Sequence, residues 1–202
     1  MSSPYSTGRK SEVLWALPIV VELAEDTLTP FEFDEAERIS MMLAGSKGRR
    51  REAVQYLMKL VSPPPKRPLY YAEMEMQVLP RWTRDAIRYL GDYVDLLVKA
   101  MAFEYTKDHR CKKYSLGRNL RMLKPRKHGI SSELVAKLKR YNSFLYRPGK
   151  HDFTVPRGRG HRFTSKEVVL TAFITMKLAG EIKKISQFAE KVSLNEAAIQ
   201  DL

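Results

Sequence analysis

The chain has 202 residues, a single cysteine and a net charge of +13 at neutral pH, with 44% hydrophobic and 29% charged residues. These values exclude a disordered tail and a disulfide-stapled miniature fold, and predict a protein that buries a core without cross-links. The longest apolar run, Val13 to Val21, is too short to cross a bilayer, contains Pro18 and meets Glu22, Glu25 and Asp26 at once; the expected compartment is the cytoplasm, without a membrane partner.

Residues 1 to 10, rich in Ser, Pro and Gly, predict no regular element. Ser11 reads as the cap of a helix from Glu12 to about Asp26, with Leu14, Leu17, Val21 and Ala24 at helical spacing and a kink expected at Pro18. Asp34 reads as the cap of a second helix carrying Ile39, Met42 and Leu43, ended by Gly45 and Gly48. Arg49 to Ser62 predicts a third, with Ala53, Leu57 and Leu60 inward. Arg49, Arg50 and Arg51 at its start oppose the helix dipole, so something other than helix stability favours them.

Pro63, Pro64, Pro65 and Pro68 make residues 63–79 a stiff connector, in which Tyr70 to Val78 alternates loosely without an evident partner strand. It separates an amino-terminal helical segment, residues 1–62, from a basic bundle, residues 80–202. Pro80 to about Tyr105 predicts the longest helix, with Ala86, Leu90, Tyr93, Leu97 and Met101 on one face and Asp92, Asp95 and Lys99 largely elsewhere. A basic loop follows. Ser115 then opens a short helix through Leu116, Leu120 and Leu123, which Pro125 stops. Ser131 or Ser132 begins another, aligning Leu134, Leu138, Tyr141 and Leu145, with Lys137, Lys139 and Arg140 outward and Pro148-Gly149 as its end. Thr164-Ser-Lys-Glu167 is a capping box opening a helix to about Ile185, and Ser193 to Glu196 repeats the box for a terminal helix. The predicted fold class is all-α, four helices from residue 80 onward with additional amino-terminal helices.

The charge is not spread evenly along this chain. From Lys107 to Lys166 there are 18 Lys or Arg against 3 Asp or Glu, leaving 18 basic and 20 acidic residues elsewhere. Such a segment requires an anion, and its Tyr and Phe side chains offer stacking faces, so the expected partner is nucleic acid. RNA is favoured over DNA, because no recognition helix is evident and loop aromatics suit unstacked bases. The candidate contacts are Lys112, Lys113, Arg118, Arg121, Lys124, Arg126, Lys127, Arg157, Arg159, His161 and Arg162. An acidic protein partner is the other reading of so basic a surface.

Chemistry, if present, centres on His151, which lies between Lys150 and Asp152 with Arg147 just before it. An imidazole to move a proton and cations to neutralise charge on phosphorus are what phosphodiester cleavage requires. In this alternative, a metal-independent endoribonuclease, His151 is the general base or acid, Arg147 and Lys150 stabilise the phosphorane, and Arg140 or Asn142 orients the phosphate. No second cysteine or His-x-Glu pairing is present, so no metal is expected; no glycine-rich phosphate loop appears, and no cofactor is expected.

The order and lengths of the segments DYVDLLVKAMAFEYT, SLGRNLRML, SSELVAKLKRYNSFLY and TSKEVVLTAFITMKLAGEI resemble those of the HEPN superfamily, small four-helix bundles of toxin and antiviral systems, over about residues 80 to 185. Active members are metal-independent ribonucleases whose Arg and His, a few residues apart near the end of the third helix, meet across a dimer interface. The resemblance therefore implies a homodimer, with Arg140 or Arg147 and His151 as the matching pair and Asn142 as the polar residue that tends to follow the arginine.

Overall fold

The computed structural model describes residues 9–61, 83–150 and 163–185, and their side chains over 18–61, 85–148 and 163–185. Every regular element among them is helical, so the all-α expectation holds. In chain order these are α1 (Arg9–Thr27), α2 (Pro30–Ala44), α3 (Lys47–Val61), α4 (Thr83–Thr106), a 3-10 turn (His109–Lys113), α5 (Leu116–Met122), α6 (Pro125–His128), α7 (Ser132–Tyr141), a π turn (Asn142–Tyr146), α8 (Arg147–Lys150) and α9 (Ser165–Ile185). The connector, residues 63–79, with its possible strand at Tyr70 to Val78, and the terminal helix after Ser193 lie outside the described residues.

The helix on which the others converge is α9, which packs against α1, α2, α3, α4 and α7. Its sequence explains why: from Glu167 to Thr175 every side chain is buried, as in a helix apolar all round and not merely along one stripe. The predicted capping box opens it, with the Glu167 N–H donating to Thr164 Oγ1 at 3.2 Å and the Thr164 N–H to Glu167 Oε2 at 2.6 Å. Even buried Glu167 therefore has its partners. Thr171 Oγ1 donates back to the Glu167 carbonyl at 2.6 Å, and Thr175 Oγ1 shares a 2.7 Å hydrogen bond with Tyr141 Oη, so both buried hydroxyls of α9 are satisfied.

Across α9 lies α4, on which the predicted stripe of Ala86, Leu90, Tyr93, Leu97 and Met101 is buried, widened by Ile87, Val94 and Val98. Its carboxylate Asp95 departs from expectation. It is only 5% exposed and pairs with Lys99 at 2.9 Å, because Tyr146 reaches over from the π turn.

Several boundaries differ from the sequence reading: α1 starts at Arg9, so Ser11 lies inside it, and α3 starts at Lys47, so Gly48 lies inside α3; three others have local reasons. Thr29, not Asp34, caps α2: its hydroxyl accepts from the Glu32 N–H and Glu32 returns a bond to the Thr29 N–H, with Pro30 at the first helical position. α5 does end before Pro125, at Met122, but Pro125 also starts α6, where its missing N–H costs nothing, and Gly129 ends that turn in the left-handed conformation. Pro148-Gly149 does not end α7 either. The helix passes through the π turn into α8, and the wider turn ends two residues before Pro148, which lacks an N–H for the carbonyl behind it.

The arginines at the start of α3 find a partial explanation. Arg50 Nε donates to the Leu43 carbonyl at 3.1 Å, satisfying a last-turn carbonyl of α2. The amino-terminal helices are held on the rest by packing of Val20, Leu23, Ala24, Ile39 and Leu57 into the same apolar cluster as α4 and α9. Ion pairs join them at the rim: Arg140 to Glu22 and Asp26, Lys166 to Glu37, and Lys177 to Glu32.

Candidate nucleic-acid interface

The π turn widens one helical turn, so both Leu145 and Tyr146 point inward. Tyr146 lies against Gly91, where any side chain would overlap its ring, and its hydroxyl donates to Asp92 Oδ1 at 2.7 Å and Asp95 Oδ2 at 3.4 Å. Burial, and then the two carboxylates, push the Tyr146 phenol far above the ordinary tyrosine range, so it is a donor at every physiological pH.

Above this anchored ring is a cleft of about 860 Å³. Its helical wall is Lys139, Asn142, Ser143, Tyr146 and Arg147; Asp95 and Lys99 come from α4, and Lys113, Tyr114, Ser115, Leu116, Gly117 and Arg121 from the segment between. The Asn142 amide sits over Gly117, so close that a β-carbon there would lie 3.1 Å from Nδ2. Among the described residues that amide has no hydrogen-bond partner in the protein.

A second cleft, of about 580 Å³, adjoins the first and shares Arg121 and Lys139 with it. Lys124, Pro125, Arg126 and Lys127 complete its basic side. The two form one groove across α5, α6, α7 and the π turn. The described cations fall into paired and unpaired ones. Arg38, Arg88, Lys99, Lys107, Arg110, Lys137, Arg140, Lys166 and Lys177 each have a carboxylate within 4 Å. Lys113, Arg121, Lys124, Arg126, Lys127 and Lys139 have none among the described residues.

Of the residues expected from sequence, the groove gathers Lys113, Arg121, Lys124, Arg126, Lys127, Asn142 and Arg147. Arg118 lies beside it, its guanidinium carbon 3.7 Å above the Tyr114 ring, while Lys112 is half-buried in the 3-10 turn. Arg140 is not part of the groove; it faces α1, bridging Glu22 at 3.0 Å and Asp26. The Lys150 side chain and His151, Arg157, Arg159, His161 and Arg162 lie outside the described residues. Sequence reasoning missed Lys99, Tyr114, Ser143 and Lys139. Lys139 was accessible to it, since residues three and four apart on a helix share a face with Asn142 and Ser143.

The chain matches no family model, no curated protein and no solved structure. Its function must be argued from this groove.

The remaining histidines among the described residues are packing elements. His109 tilts against Phe103 at 4.9 Å between centroids, and His128 stacks on Tyr105 at 5.3 Å. The Lys124 N–H donates to His128 Nδ1 at 3.1 Å, which ties the imidazole into the α6 turn. Among the described residues no cluster of His, Cys, Asp and Glu is arranged to hold a metal, and no helix is long and apolar enough to cross a membrane.

Proposed function

We propose that the chain binds nucleic acid, RNA in preference to DNA, by laying a phosphate backbone along the basic groove over α5, α6, α7 and the π turn. The observation that carries this reading is the gathering of cations: Lys113, Arg121, Lys124, Arg126, Lys127 and Lys139, none with a carboxylate among the described residues, line one continuous groove. Cations so close repel one another, and a polyanion relieves that repulsion while releasing its own counterions. Tyr114 and the unengaged Asn142 amide favour RNA, whose unpaired bases are recognised by stacking and by hydrogen bonds to their edges.

Fluorescence anisotropy with a labelled RNA across a salt series tests this. Log affinity should fall linearly with log salt, by about 0.7 per phosphate contact on a single strand. Combining Arg121→Glu, Lys124→Glu and Lys127→Glu should abolish binding without lowering the melting temperature. No binding even at low salt overturns the reading.

A second reading, a metal-independent endoribonuclease on a HEPN-like bundle acting as a homodimer, is favoured by one observation. The helix from Ser132 runs through the π turn to Lys150 without a break, bringing Asn142 and Arg147 to one cleft and ending immediately before His151. In that reading His151 transfers the proton, Arg147 and Lys150 stabilise the phosphorane and Asn142 orients the phosphate. Cleavage of RNA in EDTA that His151→Ala abolishes would establish it; retention of RNA without cleavage would leave a binding protein.

A further inference from the structure

The larger cleft has features that phosphate binding alone does not require. Tyr114, half-buried, contributes an aromatic ring to its wall, and that ring is fixed from two directions. The fully buried Asn119 amide donates to the Cys111 carbonyl at 3.0 Å and to the Tyr114 carbonyl at 3.4 Å, pinning the backbone that carries the ring. Arg118 stacks over one ring face at 3.7 Å, which holds the ring plane and enriches the stack with a guanidinium. A surface tyrosine without a ligand needs neither restraint.

The same cleft is lined by the Asn142 amide, which has both a donor and an acceptor and uses neither within the described protein. It stands over Gly117, the residue type that leaves it room. Every nucleobase presents a donor beside an acceptor on its Watson–Crick edge, and that edge is free only when the base is unpaired. The cleft volume, about 860 Å³, is within the range of sites that enclose a small organic ligand.

We infer that this cleft is a pocket for one unpaired nucleobase, stacked on the Tyr114 ring with its edge at the Asn142 amide, so that the protein selects single-stranded over duplex RNA. The flanking phosphates then run over Arg121 and Lys139, the two cations common to both clefts, toward Lys124 and Lys127. The inference rests on the RNA-binding reading above and adds to it a ligand class, because a groove that only neutralises phosphates would accept a duplex equally well.

The test uses the full chain, a fluorescein-labelled 12-nucleotide single-stranded RNA of mixed sequence and the same strand annealed to its complement. The wild type should bind the single strand at least about ten-fold more tightly. Tyr114→Ala should remove most of that preference by weakening the single strand alone, Tyr114→Phe should keep it, and Asn142→Ala, a change at a half-buried position, should weaken the single strand several-fold with an unchanged melting temperature. Equal affinity for the two RNAs, or a Tyr114→Ala protein that loses both in parallel while folded, overturns the base pocket but leaves the phosphate groove standing. Binding of neither RNA at low salt overturns both.

Discussion

The ring of Tyr146 occupies the space where Gly91 has no side chain: a β-carbon at 91 would lie 2.8 Å from Cγ of that ring and closer still to Cδ2. In an exposed helix interior, replacing Gly by Ala stabilises by about 1 kcal/mol. Here the sign reverses. Gly91→Ala should destabilise by about 1–3 kcal/mol through overpacking, read by chemical denaturation. Adding Tyr146→Leu should restore part of the loss, a non-additivity that only a direct contact produces.

Tyr146 and Tyr141 also set an alkaline limit. Burial raises both phenols above the ordinary tyrosine value, Tyr146 further by Asp95 and Asp92, although the bond to Thr175 pulls Tyr141 partly back. A raised folded-state value means full stability below the unfolded value of about 10, and progressive loss as the pH climbs from there toward the folded value. Tyrosinate absorbance followed with circular dichroism should reveal a late class of tyrosines that ionise only as helicity is lost. Ionisation of all tyrosines in a folded protein would contradict the burial.

On the acid side the marker is Glu32. Burial alone would raise its carboxyl, but the Thr29 N–H, Lys177 and the Thr29 hydroxyl outweigh that and hold it below the ordinary glutamate value. The stability this contributes is present above the unfolded value and lost as pH falls through the lower folded one. Glu32→Gln should flatten the acid limb of a melting-temperature profile. Thr29→Ala, which removes the other half of the cap, should cost about 1 kcal/mol near neutrality.

Adjacent residues Lys139 and Arg140 should behave oppositely. Lys139→Ala should weaken RNA binding and reduce the salt slope by about 0.7, since this cation lines both clefts. Arg140→Ala should leave RNA affinity unchanged and cost at most about 1 kcal/mol of stability, because its rim pairs with Glu22 and Asp26 are partly solvated. A loss of RNA affinity in Arg140→Ala with Lys139→Ala unaffected would mean that the groove is on the wrong side of α7.

Where the chain's chemistry is local, its sequence was readable. Thr164 and Glu167 stand three apart and do cap α9, and Leu134, Leu138, Tyr141 and Leu145 do turn inward together. The same capping grammar stands at Thr29 and Glu32, where Asp34 offers a second plausible cap five residues after Thr29. The π turn was illegible for a different reason: a 3.6-residue period extended past Tyr141 has no symbol for a wider turn, and a Pro-Gly pair reads as a stop. The periodicity of α4 puts Asp95 off the apolar stripe, and nothing within that helix announces that Tyr146 will cover it. The site followed the same division. Its cations were visible as composition, whereas Lys99 and Tyr114, on other segments than α7, join Asn142 only after folding.

That α9 touches α1, α2, α3, α4 and α7 has a consequence for the order of events during synthesis. The helices made first cannot bury their apolar faces on the element they are shaped for until residues 168 to 182 have emerged. Until then Leu23, Ile39 and Leu57 lack the helix on which most of their packing converges, and the nascent chain carries an open apolar seam of the kind chaperones hold. The core thus closes in one late step from its carboxy-terminal side, and the groove, whose α7 wall packs on α9, takes shape in that same step.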